Sequence, residues 1–320
     1  MRRGLLFALP AAVVTAAVGL ALGESTIDVA PRAARASHAS KAAWTRWWKI
    51  AYRAHDGRTH DAYVLLPSWY GRHRNPPLPL VLSPHGRGVS GRANARLWGG
   101  LPARDRFAVV SPDGQGRRLP RYSWGYSGQI ADLSKMPAVV RHALPWLRVE
   151  PHHVYAVAGS MGGQEVLLLL AKHPRLLHGA AVIDAPTDLA LQYRDFPSLP
   201  CDAACLERWK EPIGLGLQRL ARMEVGGTPK QVPTAYAARS PNHYVGPIAR
   251  SGVPLALWWS VRDRLVQHAE RQEARFVRAL QRAHPRARLG YTAGTWSHQQ
   301  GMRLNLPRAL AWLHLAAPAR

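Results

Sequence analysis

A serine set among glycines between a predicted strand and a predicted helix constrains this 320-residue chain more than any other feature. The apolar run 154–158 predicts a buried strand, and the Leu-rich segment 164–173 predicts a helix. Between them stands Gly159-Ser160-Met161-Gly162-Gly163. A strained turn of this kind, a nucleophile elbow, presents its serine at a helix N-terminus, and small neighbours let strand and helix approach. Ser160 is therefore the candidate nucleophile, with Ala158 standing where the usual spacing has glycine.

Short apolar runs alternate with helical patterns along the rest of the chain. The predicted strands are 47–53, 61–66, 78–82, 107–110, 180–183, 255–259 and 289–292, and the predicted helices are 132–147, 266–283 and 307–315. This alternation predicts an α/β fold with a mostly parallel sheet and helices on both faces. The Pro- and Gly-rich segment from about 186 to 242 interrupts it and is expected to form a helical or irregular insertion over the strand ends.

An activating acid and base are expected downstream of Ser160, since a serine hydroxyl is a weak nucleophile alone. With such an elbow the chain order is serine, acid, histidine. Asp263 follows strand 255–259 and is the favoured acid, because its rival Asp184 comes one strand too early. His298 follows the last predicted strand and is the favoured base. His284 and His314 lie at or within helices and are expected to be structural.

An oxyanion would need two backbone donors. Met161 N–H, directly after the nucleophile, supplies one. The other is expected from Arg87 N–H, with Gly86 in contention, in the loop after strand 78–82, where His85 is expected to brace the backbone.

The aromatic cluster 122–126 follows another strand, and Trp124 and Tyr126 are candidate substrate-binding residues, although such aromatics also commonly pack on the scaffold. His152-His153 has no acidic or Cys partner at metal spacing, so no metal or other cofactor is predicted.

The net charge of +24 first suggests a nucleic-acid or anionic envelope partner. However, the basic residues are spread over the whole chain, only six are Lys, and no dense basic block occurs, so nucleic acid is not the predicted partner. A hydrophobic content of 47% excludes a disordered chain. Locally, Arg87, Arg262 and Arg264 lie near the predicted strand ends, where a cationic rim would favour anionic substrates or an anionic cell envelope.

The first 23 residues predict an export signal, because Met1-Arg2-Arg3 precedes an uncharged apolar stretch with a small-residue end. An uncleaved anchor is the alternative. Residues 24–43 read as a linker and 44–316 as the catalytic domain, giving a secreted or envelope-associated protein. Cys201 and Cys205 could then form a small-loop disulfide or stay as free thiols.

Taken together, these motifs resemble the α/β-hydrolase superfamily. The resemblance covers about 44–315 and is strongest to prolyl-oligopeptidase-like and dienelactone-hydrolase-like serine esterases and to the polyhydroxybutyrate-depolymerase and feruloyl-esterase type. Its motifs are His85-Gly86, the elbow, the Ser-Pro segment 240–245, Asp263-Arg264-Leu265-Val266 and His298. The 43 or so residues before Trp44 are too few for the propeller of the family's large peptidases.

The resemblance implies a carboxylic-ester hydrolase that works through a Ser160–His298–Asp263 triad and an acyl-enzyme. One alternative is a serine peptidase of the prolyl-oligopeptidase (S9) type that acts on short peptides. The other is a non-catalytic basic protein that binds the cell envelope.

Overall fold

A computed structural model describes residues 44–114 and 123–316. The predicted signal peptide and linker, residues 1–43, lie outside the described residues, as does Tyr122 of the aromatic cluster. Within the described ranges, no helix combines the length and the apolar character needed to cross a membrane.

Eight strands form one sheet in the order β1-β2-β4-β3-β5-β6-β7-β8. The strands are β1 (Thr45–Arg53), β2 (Thr59–Pro67), β3 (Leu78–Leu82), β4 (Ala108–Pro112), β5 (Val149–Gly159), β6 (Gly179–Ile183), β7 (Leu255–Ser260) and β8 (Leu289–Gly294). β2 is antiparallel to both of its neighbours, and all pairs from β4 to β8 are parallel. The predicted mostly parallel sheet is confirmed, and each strand lies within a few residues of its predicted position.

The helices in chain order are α1 (Gly91–Leu97), α2 (Leu101–Asp105), α3 (Ser127–Ala143), α4 (Ser160–Lys172), α5 (Leu189–Asp195), α6 (Ala203–Trp209), α7 (Ile213–Val225), α8 (Pro233–Ala237), α9 (Val245–Arg250), α10 (Glu273–Arg282) and α11 (His298–Trp312). The boundaries of three predicted helices differ most from the structure. α3 starts five residues early and ends before Pro145, α10 starts seven residues late, and α11 starts nine residues before Pro307. Pro307 lies inside α11 and does not open it, because Ser297 and Gln300 form a capping box at its true start.

Helices cover both faces of the sheet because its buried side chains alternate. Leu80 and Leu82 of β3 join the core cluster packed by α3, α4 and α10, whereas Val81 joins the cluster packed by α1 and α11. Strands buried on both faces read as continuous apolar runs, which is why the sequence revealed them.

The predicted insertion between β6 and β7 is largely helical, with α5 to α8 connected by short irregular segments. Its apolar side chains form a third cluster with two residues of the scaffold, Trp124 and Met161. The insertion members of that cluster include Phe196, Ala221 and Tyr236. The insertion therefore packs against the first turn of α4.

Candidate active site

Ser160 stands at the junction of β5 and α4 in a strained backbone conformation. Its φ of 56° lies in the left-handed region that residues with a side chain rarely adopt. The neighbouring α4 glycines are required by close approach: a Cβ on Gly162 would lie 2.4 Å from Pro84 O, and one on Gly163 would lie 2.8 Å from Ala185 Cβ. The strained turn and the first turn of α4 therefore pack directly on the loops that follow β3 and β6.

His298 and Asp263 form a short contact at the same edge. His298 Nδ1 lies 2.6 Å from Asp263 Oδ2. The other oxygen of Asp263 accepts hydrogen bonds from Leu265 N at 2.7 Å and Val266 N at 3.0 Å. Asp263 comes from the loop after β7, and His298 is the first residue of α11. The loop thus holds the carboxylate so that one oxygen faces the imidazole.

The start of α11 lies against the elbow. Met302, one turn after His298, packs so closely on Gly159 that a Cβ there would lie 2.6 Å from Met302 Cγ. Gly159 directly precedes Ser160. Packing of α11 on the end of β5 therefore brings the histidine-bearing helix to the serine-bearing turn.

The loop after β3 passes beside Ser160. A Cβ on Gly86 would lie 3.6 Å from Ser160 Cβ and 3.9 Å from Ser160 Oγ, so the Gly86 backbone borders the serine directly. His85 is fully buried and donates from Nδ1 to Gly86 O at 2.8 Å. Met161 lies in the first turn of α4, whose N-terminal N–H groups have no acceptor within the helix. The two segments expected to donate to an oxyanion therefore both border Ser160.

Comparisons with known proteins agree with this architecture. No family model matches the chain. It is 35% identical over 115 residues to "Putative esterase NocK" of Nocardia uniformis subsp. tsuyamanensis, a match to 33% of this chain and 32% of that protein. The matched stretch is thus only about a third of the relative's length.

Solved structures match over most of the chain. The acylaminoacyl peptidase of Pyrococcus horikoshii superposes with a TM-score of 0.62 at 14% identity, covering 86% of this chain and 42% of that one. S-formylglutathione hydrolase (FrmB) of Staphylococcus aureus superposes with a TM-score of 0.57 at 13% identity, covering 84% of this chain and 98% of that one. Acetyl xylan esterase of Paenibacillus sp. R4 superposes with a TM-score of 0.57 at 13% identity, covering 87% of this chain and 86% of that one. The chain has the α/β-hydrolase fold.

Asp184, the rival acid, lies beside the contact between Asp263 and His298. One ligand atom from each of the three residues lies within 4.8 Å of the other two. Asp184 accepts hydrogen bonds from Ser260 N at 2.9 Å and from Trp296 Nε1 at 2.8 Å. Burial and the charge of Asp263 raise the pKa of Asp184 to about 7, against the opposing effect of these donors.

The imidazole of His298 is tuned by these two carboxyl groups. Burial alone would disfavour the imidazolium, but the hydrogen bond and charge of Asp263, with the charge of Asp184, outweigh it. The pKa of His298 is therefore above its usual value. A base with a raised pKa accepts a proton more readily once it is neutral.

In the described part of the chain, Asp184, Asp263 and His298 are the group of side chains close enough together to hold a metal ion. Their donor set suits hydrogen bonding better than a metal ion. Asp184 already accepts from two N–H groups, and Asp263 from two backbone N–H groups and the imidazole.

Glu224, on α7 of the insertion, is a buried residue that sequence reasoning missed. It accepts from Ser123 Oγ at 2.5 Å, Trp124 Nε1 at 2.7 Å and Arg87 Nε at 3.2 Å, and Arg87 Nη2 makes a further short contact. The guanidinium of Arg87 is thus committed to Glu224 and is not part of a cationic rim. Glu224 instead ties the loop bordering Ser160 to the insertion.

The two candidate substrate-binding aromatics have different surroundings. Trp124 is buried and packs with Met161 in the third apolar cluster. Tyr126 is half-buried; its ring lies 5.5 Å from that of His55, and the guanidinium of Arg239 lies 5.3 Å from its centroid. Trp124 therefore belongs to the same buried cluster as the residue expected to bind the oxyanion, and Tyr126 lies near the β1–β2 turn.

Proposed function

We propose that this protein is a serine hydrolase that cleaves carboxylic esters through an acyl-enzyme. The observation that carries the proposal is the strained Ser160 elbow beside an α11 start that holds His298 against Asp263. A nucleophile, a base and an orienting acid from separate strand ends are what acyl transfer needs.

In the first half-reaction, Ser160 Oγ attacks the ester carbonyl carbon while His298 Nε2 takes the hydroxyl proton. Asp263 holds the ring through Nδ1 and stabilises the imidazolium. Met161 N–H and a donor from the Gly86–Arg87 loop would bind the oxyanion. His298 then gives the proton to the leaving alcohol. Water repeats the sequence on the acyl-enzyme, which releases the carboxylic acid and restores Ser160.

The similar proteins favour ester hydrolysis over peptide hydrolysis as the function of this protein. The relative that matches in sequence is named as an esterase, and two esterase-type structures align over 98% and 86% of their own length. The chain aligns over only 42% of the acylaminoacyl peptidase. A peptidase that acts on short peptides is the second candidate, and that structural likeness is what supports it.

The deciding experiment compares wild-type protein with Ser160→Ala. We expect wild type to be labelled by a fluorophosphonate probe and to hydrolyse 4-nitrophenyl butyrate, and Ser160→Ala to lose labelling and about 10⁴-fold or more in kcat. Alanine 4-nitroanilide, tested in parallel, should react much more slowly. Full activity in Ser160→Ala would eliminate the serine mechanism, and absence of labelling in wild type would favour the non-catalytic envelope-binding alternative.

We further propose that the protein is exported and that 44–316 form its catalytic domain. The basic start and apolar stretch of residues 1–23 support export, and so does the Cys201–Cys205 disulfide, since such bonds persist mainly in oxidising compartments. Fractionation of cells that express the full chain and a form without residues 1–43 tests this. Both forms should hydrolyse esters, and only the full chain should leave the cytoplasm.

A further inference from the structure

A cleft of about 710 Å³ opens beside His298, within the range of small-molecule sites. Its walls come from the start of α11, the loop after β7 and the insertion around α6; Ser160 does not line it. Apolar side chains, among them Trp209 and Leu265, form part of the wall. The cleft is thus bordered by His298 on one wall and by the insertion on another.

Three arginines line this cleft: Arg208, Arg262 and Arg264. All three are exposed. Across residues 44–114 and 123–316, no ion pair joins any of them to a carboxylate. Arg87, by contrast, is neutralised by Glu224. The three guanidinium groups at this cleft therefore have no ion-pair partner among the described residues, unlike that of Arg87.

The arginines are held by ordered backbone. Arg262 and Arg264 flank the buried Asp263, and Arg262 N donates to Ser260 Oγ at 3.0 Å. Arg208 lies in the last turn of α6. The Cys201–Cys205 disulfide and a helix cap from Asp202 to Cys205 N fix the start of that helix. Because this wall is already fixed, less conformational entropy is lost when a ligand binds.

The position of the cleft determines which half of an ester it can hold. The base that takes the serine proton must later protonate the leaving oxygen, so the alcohol half departs next to the imidazole. Since His298 lines the cleft and Ser160 does not, the alcohol half faces it. Guanidinium groups recognise carboxylate and phosphate through paired N–H donors.

We propose that Arg208, Arg262 and Arg264 form a binding site for an anionic group on the alcohol half of the substrate. The substrate class is an acyl ester whose alcohol has an apolar body, packed near Trp209, and a terminal carboxylate or phosphate. This inference rests on the proposed ester hydrolysis and adds its specificity.

The test uses acetyl esters that share the acetyl group and differ in the para substituent of the leaving phenol, which is anionic or neutral. The anionic substrates are 4-acetoxybenzoate and 4-acetoxyphenyl phosphate, and the neutral reference is methyl 4-acetoxybenzoate. The measured quantity is the ratio of kcat/KM for each anionic ester to that for the neutral ester. Comparison of this ratio between variants cancels differences in leaving-group reactivity and any general loss of activity. The two anions tell a carboxylate site from a phosphate site.

We expect Arg262→Gln/Arg264→Gln to lower the ratio about tenfold, and Arg208→Gln to lower it severalfold, as for loss of charge-assisted hydrogen bonds. The wild-type ratio should fall as salt is added. The matched control is Arg141→Gln/Arg282→Gln, which removes two exposed charges away from the cleft and should leave the ratio unchanged.

Two outcomes would overturn the inference. An unchanged ratio for both anionic esters in the cleft variants would show that these arginines do not bind the anionic group. An equal fall of the ratio in the control double variant would show that the preference comes from the net charge of the protein and not from the cleft. Either result would leave ester hydrolysis intact provided that Ser160→Ala still abolishes fluorophosphonate labelling and turnover of the neutral ester. Loss of that dependence would instead contradict the proposed function itself.

Discussion

Two histidine–aspartate pairs in this molecule share the same contact and differ in what surrounds them. In each, histidine Nδ1 lies 2.6 Å from an aspartate Oδ2: His298 with Asp263, and His55 with Asp132. The two imidazole side chains are equally buried, at 14% exposure. The contact alone therefore does not identify a catalytic pair, and the difference lies in how each carboxylate is held and what stands beside each ring.

Asp132 serves the fold. Asp132, on α3, accepts a hydrogen bond from Nδ1 of the His55 ring. The backbone N–H of His55 also donates to its two oxygens, at 2.9 and 3.1 Å. His55 lies in the turn between β1 and β2, and its ring packs directly on Gly128, where a Cβ would lie 2.2 Å from Cδ2. This pair, the hairpin clamp, fastens the edge hairpin to a helix.

Asp263 orients the imidazole ring of His298. Its own loop supplies two backbone N–H groups to one oxygen, which leaves the other for His298. The turn that carries Ser160 is next to the helix start that carries His298. In the hairpin clamp, the carboxylate of Asp132 fixes the backbone and ring of His55. In the candidate site, backbone N–H groups fix the carboxylate of Asp263, which in turn contacts the ring of His298.

The largest effect that tests this contrast is on turnover. His298→Ala should lower kcat/KM for 4-nitrophenyl butyrate by about 10⁴-fold or more, and Asp263→Asn by about 10³- to 10⁴-fold, because the proposed base or its orientation is lost. Steady-state kinetics with active-site titration measures this, and far-ultraviolet circular dichroism checks that the variants fold.

The matched control is His55→Ala, which removes an imidazole with the same contact. It should keep kcat/KM per folded molecule within about twofold of wild type. A loss as large as that of His298→Ala would show that the two pairs do not have separate roles.

A smaller effect is expected on stability, with the opposite pattern. Asp132→Ala removes three hydrogen bonds to His55 and should lower the free energy of unfolding by about 2 to 3 kcal/mol. Urea denaturation followed by tryptophan fluorescence measures it. Asp263→Asn should cost less stability, since it keeps the shape of the side chain. If Asp132→Ala left stability unchanged but abolished turnover, the hairpin clamp would have to be reassigned to catalysis.

The contrast also shows how far the sequence could be read. Ser160 was predictable because local signals coincide there: an apolar strand, glycines at fixed spacing and a helix. Asp263 and His298 were predicted from chain order and from their places after predicted strands, and the structure brings them into contact. That order also gave the reason to prefer Asp263 to Asp184.

Two other features had no local signal. Glu224 meets Arg87 across 137 positions of the chain, so nothing near either residue marks the pair. The hairpin clamp joins His55 and Asp132 across 77 positions. Tertiary contacts decide such pairs, and hydrophobic periodicity does not reveal them.

The start of α11, by contrast, has a local signal in the capping box of Ser297 and Gln300. It was missed because Pro307 resembles a first-turn proline, while the capping residue lies ten positions earlier.

The third carboxyl, Asp184, is the remaining difference between the two pairs and gives the smallest predicted effect. The pKa of Asp184 is raised to about 7 by burial and the charge of Asp263, from an ordinary value of 3.8. Between these values the folded protein keeps a proton that the unfolded chain has lost. The stabilisation from this proton is complete below about pH 4 and is lost as pH rises through 7, with a slope of up to about 1.4 kcal/mol per pH unit.

Asp184→Asn should remove that share of the pH dependence, because an amide does not titrate. Urea denaturation of wild type and variant at several values between about pH 4 and 8 measures it, and the variant should gain relative stability as pH rises. Losing this charge should also lower the pKa of His298 and move the acid limb of kcat/KM to lower pH, since Asp184 helps to raise that pKa. The shift of the acid limb separates a positioning role from a merely structural one. A stability difference that stays constant with pH, together with an unmoved acid limb, would mean that Asp184 only fastens Trp296 and Ser260, much as Asp132 fastens His55.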